Sequence, residues 1–215
     1  DIQMKKANII ILVSICILFL FPGLCAEIRD AWQKPEKVMD AIGVKKGMVV
    51  GIVGAGHGYF TFKMAPRVGE TGKIYANEIS RNRIDYIKRR MKKEKVENVE
   101  TILGKVDDPL FPKGKLDMVF MCYVFHELEK STEFMQNIIP SLKPGATVVI
   151  MAQDPGKTGS THFLKKKEVL RRIKEAGYEL VRIETFLSKD NIYICRPASD
   201  GATTWPGNKG RGPSF

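Results

Sequence analysis

The chain has 215 residues, 44% of them apolar, and a formal net charge of +11. That length fits one domain with extensions, and the apolar share excludes a disordered polymer. Four cysteines with no CxxC pair exclude a disulfide scaffold and a cysteine zinc module, and the surplus of Lys and Arg favours anionic partners: a membrane surface, an acidic substrate or nucleic acid.

Asp1-Ile2-Gln3 precede Met4 and read as a cloning or translation artefact. Lys5-Lys6, an apolar run from Ile9 to Leu24 and the ending Leu24-Cys25-Ala26 give residues 1–26 the form of a signal peptide cut after Ala26, or of an uncleaved N-terminal membrane anchor. Lys5-Lys6 then stay on the cytoplasmic side and the domain is extracytoplasmic, periplasmic or membrane-anchored. Without a working leader it is cytoplasmic.

Residues 27–197 form the domain, in which strand-like and helix-like stretches alternate as in an α/β fold. Arg29 to Ile42 has a helical pattern, and Met48 to Val53 is a short apolar strand running into glycines. Tyr59 to Val68 is a helix, Lys73 to Asn77 a second strand, and Ser80 to Lys93 a helix with Ser80 as its N-cap. Strands three and four cover Val99 to Gly104 and Leu116 to Cys122. A helix over Ser131 to Pro140, a strand over Ala146 to Ala152 and a helix over Lys165 to Ala176 follow, the last closed by Gly177. Glu179 to Phe186 and Ile192 to Arg196 are strands joined by Leu187 to Asn191 alone. A parallel pair needs a crossover of a dozen residues or more, so these two are antiparallel. Residues 198–215, rich in Gly and Pro without apolar periodicity, read as a disordered tail or tag.

The most informative stretch is Val53-Gly54-Ala55-Gly56-His57-Gly58-Tyr59, between the first strand and its helix. Glycines there let backbone approach a ligand closely. The dinucleotide fingerprint G-x-G-x-x-G needs glycine where Tyr59 stands, which counts against an NAD-dependent oxidoreductase. Some 20 residues on, the second strand runs into Glu78, a carboxylate placed to accept from both hydroxyls of a ribose. Leu103 to Pro112 and Leu142-Lys143-Pro144-Gly145 add a third and a fourth element.

In order and spacing these motifs resemble the class I S-adenosylmethionine-dependent methyltransferases, here in an exported or membrane-anchored bacterial type, from about Gly47 to Pro197. The resemblance implies a Rossmann-like, seven-stranded, mostly parallel sheet of order 3-2-1-4-5-7-6 with an antiparallel C-terminal hairpin. It implies S-adenosyl-L-methionine as cofactor, held by Gly54, Ala55, Gly56, Gly58, Glu78, Val106, Asp107 and Cys122, with Met121, Cys122 and Tyr123 at the methionine end. Two positions depart from the pattern. Ile52 stands where an acid usually helps hold the cofactor's ammonium, and Lys105 where an acid usually accepts from the adenine amine, a role closed to an ammonium. Asp107 is the nearest substitute. A catalytically silent binding module of the same fold is therefore the second reading.

The absence of a separate substrate domain points to a small-molecule acceptor, with walls at Arg29 to Trp32 and Gln153 to Phe163. His57, His126 and His162 all follow strands on the ligand-binding edge. His126 and His162 suit acid–base work or pocket lining, and Glu127 and Asp154 near them in sequence allow a metal. The run from Arg81 to Lys95 carries eight basic residues and suits an anionic membrane surface. Only Tyr86 interleaves with it, which argues against nucleic acid.

Overall fold

The computed structural model describes residues 29–198; the leader and the chain from 199 onward lie outside the described residues. A helix over 29–33 (α1) is followed by α2 (Pro35–Ile42), β1 (Val49–Val53), α3 (Tyr59–Val68), β2 (Lys73–Glu78), α4 (Arg81–Glu94) and β3 (Val99–Leu103). Next come β4 (Leu116–Cys122), a 3-10 turn (Phe125–Glu127), α5 (Ser131–Ile138), β5 (Leu142–Gln153) and a short α6 (Pro155–Thr158). The chain ends in α7 (Lys166–Glu175), β6 (Tyr178–Glu184) and β7 (Asp190–Pro197).

The strands form one seven-stranded sheet in the order β3-β2-β1-β4-β5-β7-β6. Strands β1 to β5 pair in parallel, while β7 is antiparallel to both β5 and β6, as its short loop requires. Alternate strand residues face opposite sides. Met118 and Phe120 of β4 pack with Met39, Met64 and Ile87 on one face. Val119 and Met121 pack with Phe134, Met135 and Ile173 on the other. Strands β1 and β4 are buried on both faces, so they read as apolar runs, interrupted only by half-buried Asp117 near the start of β4.

Three expectations need correction. Arg29 to Ile42 is two helices, because Lys34 adopts φ 47, ψ 57 before Pro35, and a residue preceding proline is driven out of the helical region. Ser80 occupies the N-cap position of α4, but its side chain caps nothing. The N–H groups just before the helix, those of Ile79 and Ser80, go to the Glu78 carboxylate at 3.0 and 3.1 Å. The helix over Ser131 to Pro140 stops at Ile138 and tightens into a 3-10 turn. No helix among the described residues is long and apolar enough to cross a membrane.

Candidate active site

The carboxyl ends of β1, β2 and β4 meet where an open parallel sheet changes winding direction, the usual ligand crevice of such folds. Gly54, Gly56 and Gly58 all have positive φ, at 61°, 58° and 82°. A Cβ on Gly54 would collide with Val124, whereas one on Gly56 would meet nothing within 4 Å. The loop is thus packed against the protein at Gly54 and open beside Gly56. The Ala55 N–H bonds to the Asn77 carbonyl at 2.8 Å, tying the loop to the end of β2.

Glu78 closes this crevice. Its side chain is 3% exposed. One carboxylate oxygen accepts from Gly56 N at 2.9 Å, and the other from Ile79 and Ser80 N. Arg83 lies 3.6 Å from the oxygen that faces Gly56. A carboxylate has about four acceptor positions, so three are already filled. A diol meeting Glu78 has to share those positions, which revises the expectation of two free ones. The Gly104 N–H bonds to the Glu78 carbonyl, and buried Asn77 donates through Nδ2 to the Pro109 carbonyl at 2.8 Å, pinning the loop after β3. Around this corner Ile79 and Val106 are 59% and 63% exposed, and Leu103 is exposed too. These apolar side chains at the ends of β2 and β3 offer the cover a flat aromatic base needs. Lys105 is exposed, and its N–H turns back to the Asp108 carbonyl. Asp107 is half-buried, and its carbonyl accepts from Asn137 Nδ2. Ile52 is buried in the core.

Helix α1 lies over the other side of the loop. Asp30 accepts from the Tyr59 hydroxyl and, at 2.6 Å, from Lys63 Nζ. Burial works to raise the Asp30 pKa, but those two bonds and the charges of Lys63 and Arg29 leave it below the ordinary carboxylate value. The Arg29 guanidinium sits 3.7 Å from the Tyr59 ring centroid. Gln33 donates to the Cys122 sulfur at 3.6 Å, and burial pushes the Cys122 thiol up to about 12. Cys122 is accordingly a neutral, pocket-lining thiol.

Beyond β4 the chain turns sharply. Tyr123 has φ 59, uncommon for a bulky residue, and is held there by three contacts. Its N–H bonds to the Met151 carbonyl, its hydroxyl donates to Asp190 at 2.7 Å, and its ring stacks on Trp32 with centroids 6.3 Å apart. Phe163 lies 5.5 Å from the same ring, so the two predicted pocket walls do converge on Tyr123. Asp190 is fully buried and its second oxygen lacks a partner among the described residues. Burial raises its pKa, against the Tyr123 hydrogen bond and the charges of Lys157, Lys189 and Arg29. Sequence reasoning missed Asp190. Its only signal is the hairpin: β7 runs antiparallel, so its first residue pairs with Gln153, the last of β5, on the ligand edge.

The three predicted histidines separate. His57 packs edge-on to Tyr86 at 5.0 Å, while His126 and His162 face each other. Asp154 is not with them; its carboxylate accepts from Gly156 N and Asn191 Nδ2. A cleft of about 1080 Å3 lies at the amino ends of the strands, lined by Lys46, Gly72, Lys73 and Asn98 among others. Its main polar groups are engaged: Lys73 pairs with Glu100, and Asn98 donates to the Ala65 and Gly69 carbonyls. Volume alone does not make it the site.

Residues 44–193 match the family described as "Methyltransferase domain". The chain belongs to this family. A demethylmenaquinone methyltransferase of Lactococcus lactis is 29% identical over 121 residues, 56% of this chain and 47% of that protein. A tRNA U34 carboxymethyltransferase of Desulfotalea psychrophila is also 29% identical, over 59% of this chain and 38% of its own length. The chain thus spans about half or less of these curated relatives. The crystal structure of a SAM-dependent methyltransferase from Aquifex aeolicus superposes with a TM-score of 0.73 at 26% identity, covering 78% of this chain and 91% of that one. The seven-stranded order and the antiparallel C-terminal strands are those of the family's Rossmann-like fold.

Proposed function

We propose that this methyltransferase domain transfers a methyl group from S-adenosylmethionine to a small-molecule acceptor. The observation that carries the reading is Glu78, a buried carboxylate fixed against Gly56 of an open, positive-φ glycine loop. The remaining residues suit the same cofactor. Exposed Ile79, Leu103 and Val106 would lose water against an adenine ring. At the amino-acid end, Asp30 supplies a carboxylate for an ammonium and Arg29 a guanidinium for a carboxylate, in place of the acid that Ile52 replaces.

Bound S-adenosylmethionine supplies a methyl already activated on a sulfonium. The chain's own work is then alignment and exclusion of water. Trp32, Tyr123 and Phe163 form an aromatic wall beyond the end of β4, suited to a flat or apolar acceptor. Asp190 is fully buried, its pKa raised by that burial, and it accepts from the Tyr123 hydroxyl, through which a proton released by the acceptor would have to reach it.

The test is formation of S-adenosylhomocysteine when the purified protein meets panels of quinols, phenols, amines and thiols. Turnover above the acceptor-free background supports the reading. Cofactor binding with no turnover across the panels favours the catalytically silent module that Ile52 and Lys105 suggest.

A further inference from the structure

Three polar side chains on the ligand edge converge without a role in the reading above. His126 Nε2 lies 3.2 Å from His162 Nε2 and 3.8 Å from a Glu127 carboxylate oxygen. One donor atom from each of the three lies within 4.8 Å of the other two. We propose that His126, His162 and Glu127 bind a divalent first-row transition ion, zinc by donor set, leaving a coordination position open.

The separation of the two nitrogens fits. Imidazoles bound to one tetrahedral zinc at about 2.0–2.1 Å have their nitrogens roughly 3.3 Å apart. A hydrogen bond between neutral imidazoles would also fit that distance, so the surroundings decide. The His126 side chain is 6% exposed, and its Nδ1 is buried with no partner among the described residues. Leaving that nitrogen unpaired is costly. A ring kept only for packing would do better as phenylalanine, which the neighbouring Phe163 already supplies. What an imidazole adds at position 126 is therefore Nε2, and Nε2 points where His162 and Glu127 meet. A pair of neutral histidines has no need of a carboxylate, yet Glu127 is there, and among the described residues no Lys or Arg pairs with it.

The cluster also comes from separate parts of the chain. His126 and Glu127 lie on the 3-10 turn after β4, and His162 returns 36 residues later from the loop beyond α6. Phe163 lies 4.5 Å from the His126 ring and 5.1 Å from the His162 ring, so one apolar side chain holds both orientations. Two imidazoles and one carboxylate suit zinc, or iron(II) as second choice, whereas calcium and magnesium want oxygen ligands. Two neutral rings and one carboxylate leave the bound ion with net positive charge and room for a water or a substrate heteroatom. That the heteroatom belongs to a methyl acceptor rests on the proposed function; the metal site itself does not.

The full-length protein, stripped with a chelator, would be titrated with zinc against a chromophoric competitor, then with cobalt(II) while its visible absorption is followed. One tight equivalent is expected, with the visible bands of four-coordinate cobalt and no competition from magnesium. His162 is exposed, so His162→Ala should leave the melting temperature of the stripped protein unchanged. It should weaken zinc binding about a hundredfold or more, beyond what loss of an outer-shell partner causes. Glu127→Gln should weaken it less and alter the cobalt spectrum. No stoichiometric binding, or equal affinity in parent and His162→Ala, would overturn the proposal. Metal binding without methyl transfer would leave the site standing and remove only the acceptor role.

Discussion

Glu78→Ala is the substitution that most directly probes how the crevice is built. Three backbone N–H groups, those of Gly56, Ile79 and Ser80, lose their acceptor. Bonds to a charged acceptor contribute about 1.5–3 kcal/mol each when shielded. Ile79 is exposed, and Ser80 and Gly56 are half-buried, so water replaces part of the loss. The net cost should be about 2–4 kcal/mol, close to that of one or two shielded bonds. For a domain of this size that lowers the melting temperature by about 5–15 °C. S-Adenosylmethionine affinity should fall by a similar energy, about 30- to 1,000-fold in Kd, because a ribose partner and the anchor of Gly56 go together. Thermal melts and calorimetric titration read the two effects separately. Asp107→Ala should do less on both, since its only described bond is through its carbonyl, which alanine keeps. Unchanged melting and affinity in Glu78→Ala, or a larger affinity loss in Asp107→Ala, would refute the reasoning.

Gly54→Ala should destabilise by about 2–4 kcal/mol, adding a collision with Val124 to the strain of positive φ, while Gly56→Ala should cost only about 1–2 kcal/mol from strain. Chemical denaturation that ranks them the other way would contradict the described loop. Asp190 has a folded pKa above its unfolded one, so its ionised form penalises stability at neutral pH, and that penalty fades as pH falls through the folded value. Asp190→Asn, which keeps an acceptor for Tyr123, should therefore melt no lower than the parent at pH 7, with any advantage shrinking towards pH 4. An advantage that instead grows on acidification would show that the native state favours the carboxylate. If the basic helix α4 faces an anionic membrane, Lys92→Glu with Lys93→Glu should weaken binding to phosphatidylserine vesicles by about 1 kcal/mol or more per residue at low salt. Equal cosedimentation of parent and variant would end that idea.

Much of the architecture was legible because its signals are local and redundant. The runs of β1 and β4 are buried on both faces, so Asp117 is the only polar residue that interrupts them. The five-residue join before β7 left a single pairing geometry. The glycine loop and Glu78 were readable because positive φ and a strand-end acid leave marks in composition. What escaped depended on distant partners. Ser80 looked like a cap, but its side chain bonds to none of the first N–H groups of α4. Lys34 gave no sign of its left-handed turn beyond the proline that follows. Asp190 could be placed only by the register of β7 on β5, and Asp154 could be removed from the histidines only by seeing its bond to Asn191. The join of His126 with His162 across 36 residues is likewise a product of tertiary structure.

In the proposed function, Glu78 and the loop from Gly54 to Gly58 hold S-adenosylmethionine. Calorimetric titration of the purified protein with S-adenosylmethionine, and separately with NAD, tests it most directly. One saturable site for S-adenosylmethionine, weakened in Glu78→Ala, and no heat from NAD are expected. Saturable NAD binding with none for S-adenosylmethionine would contradict it.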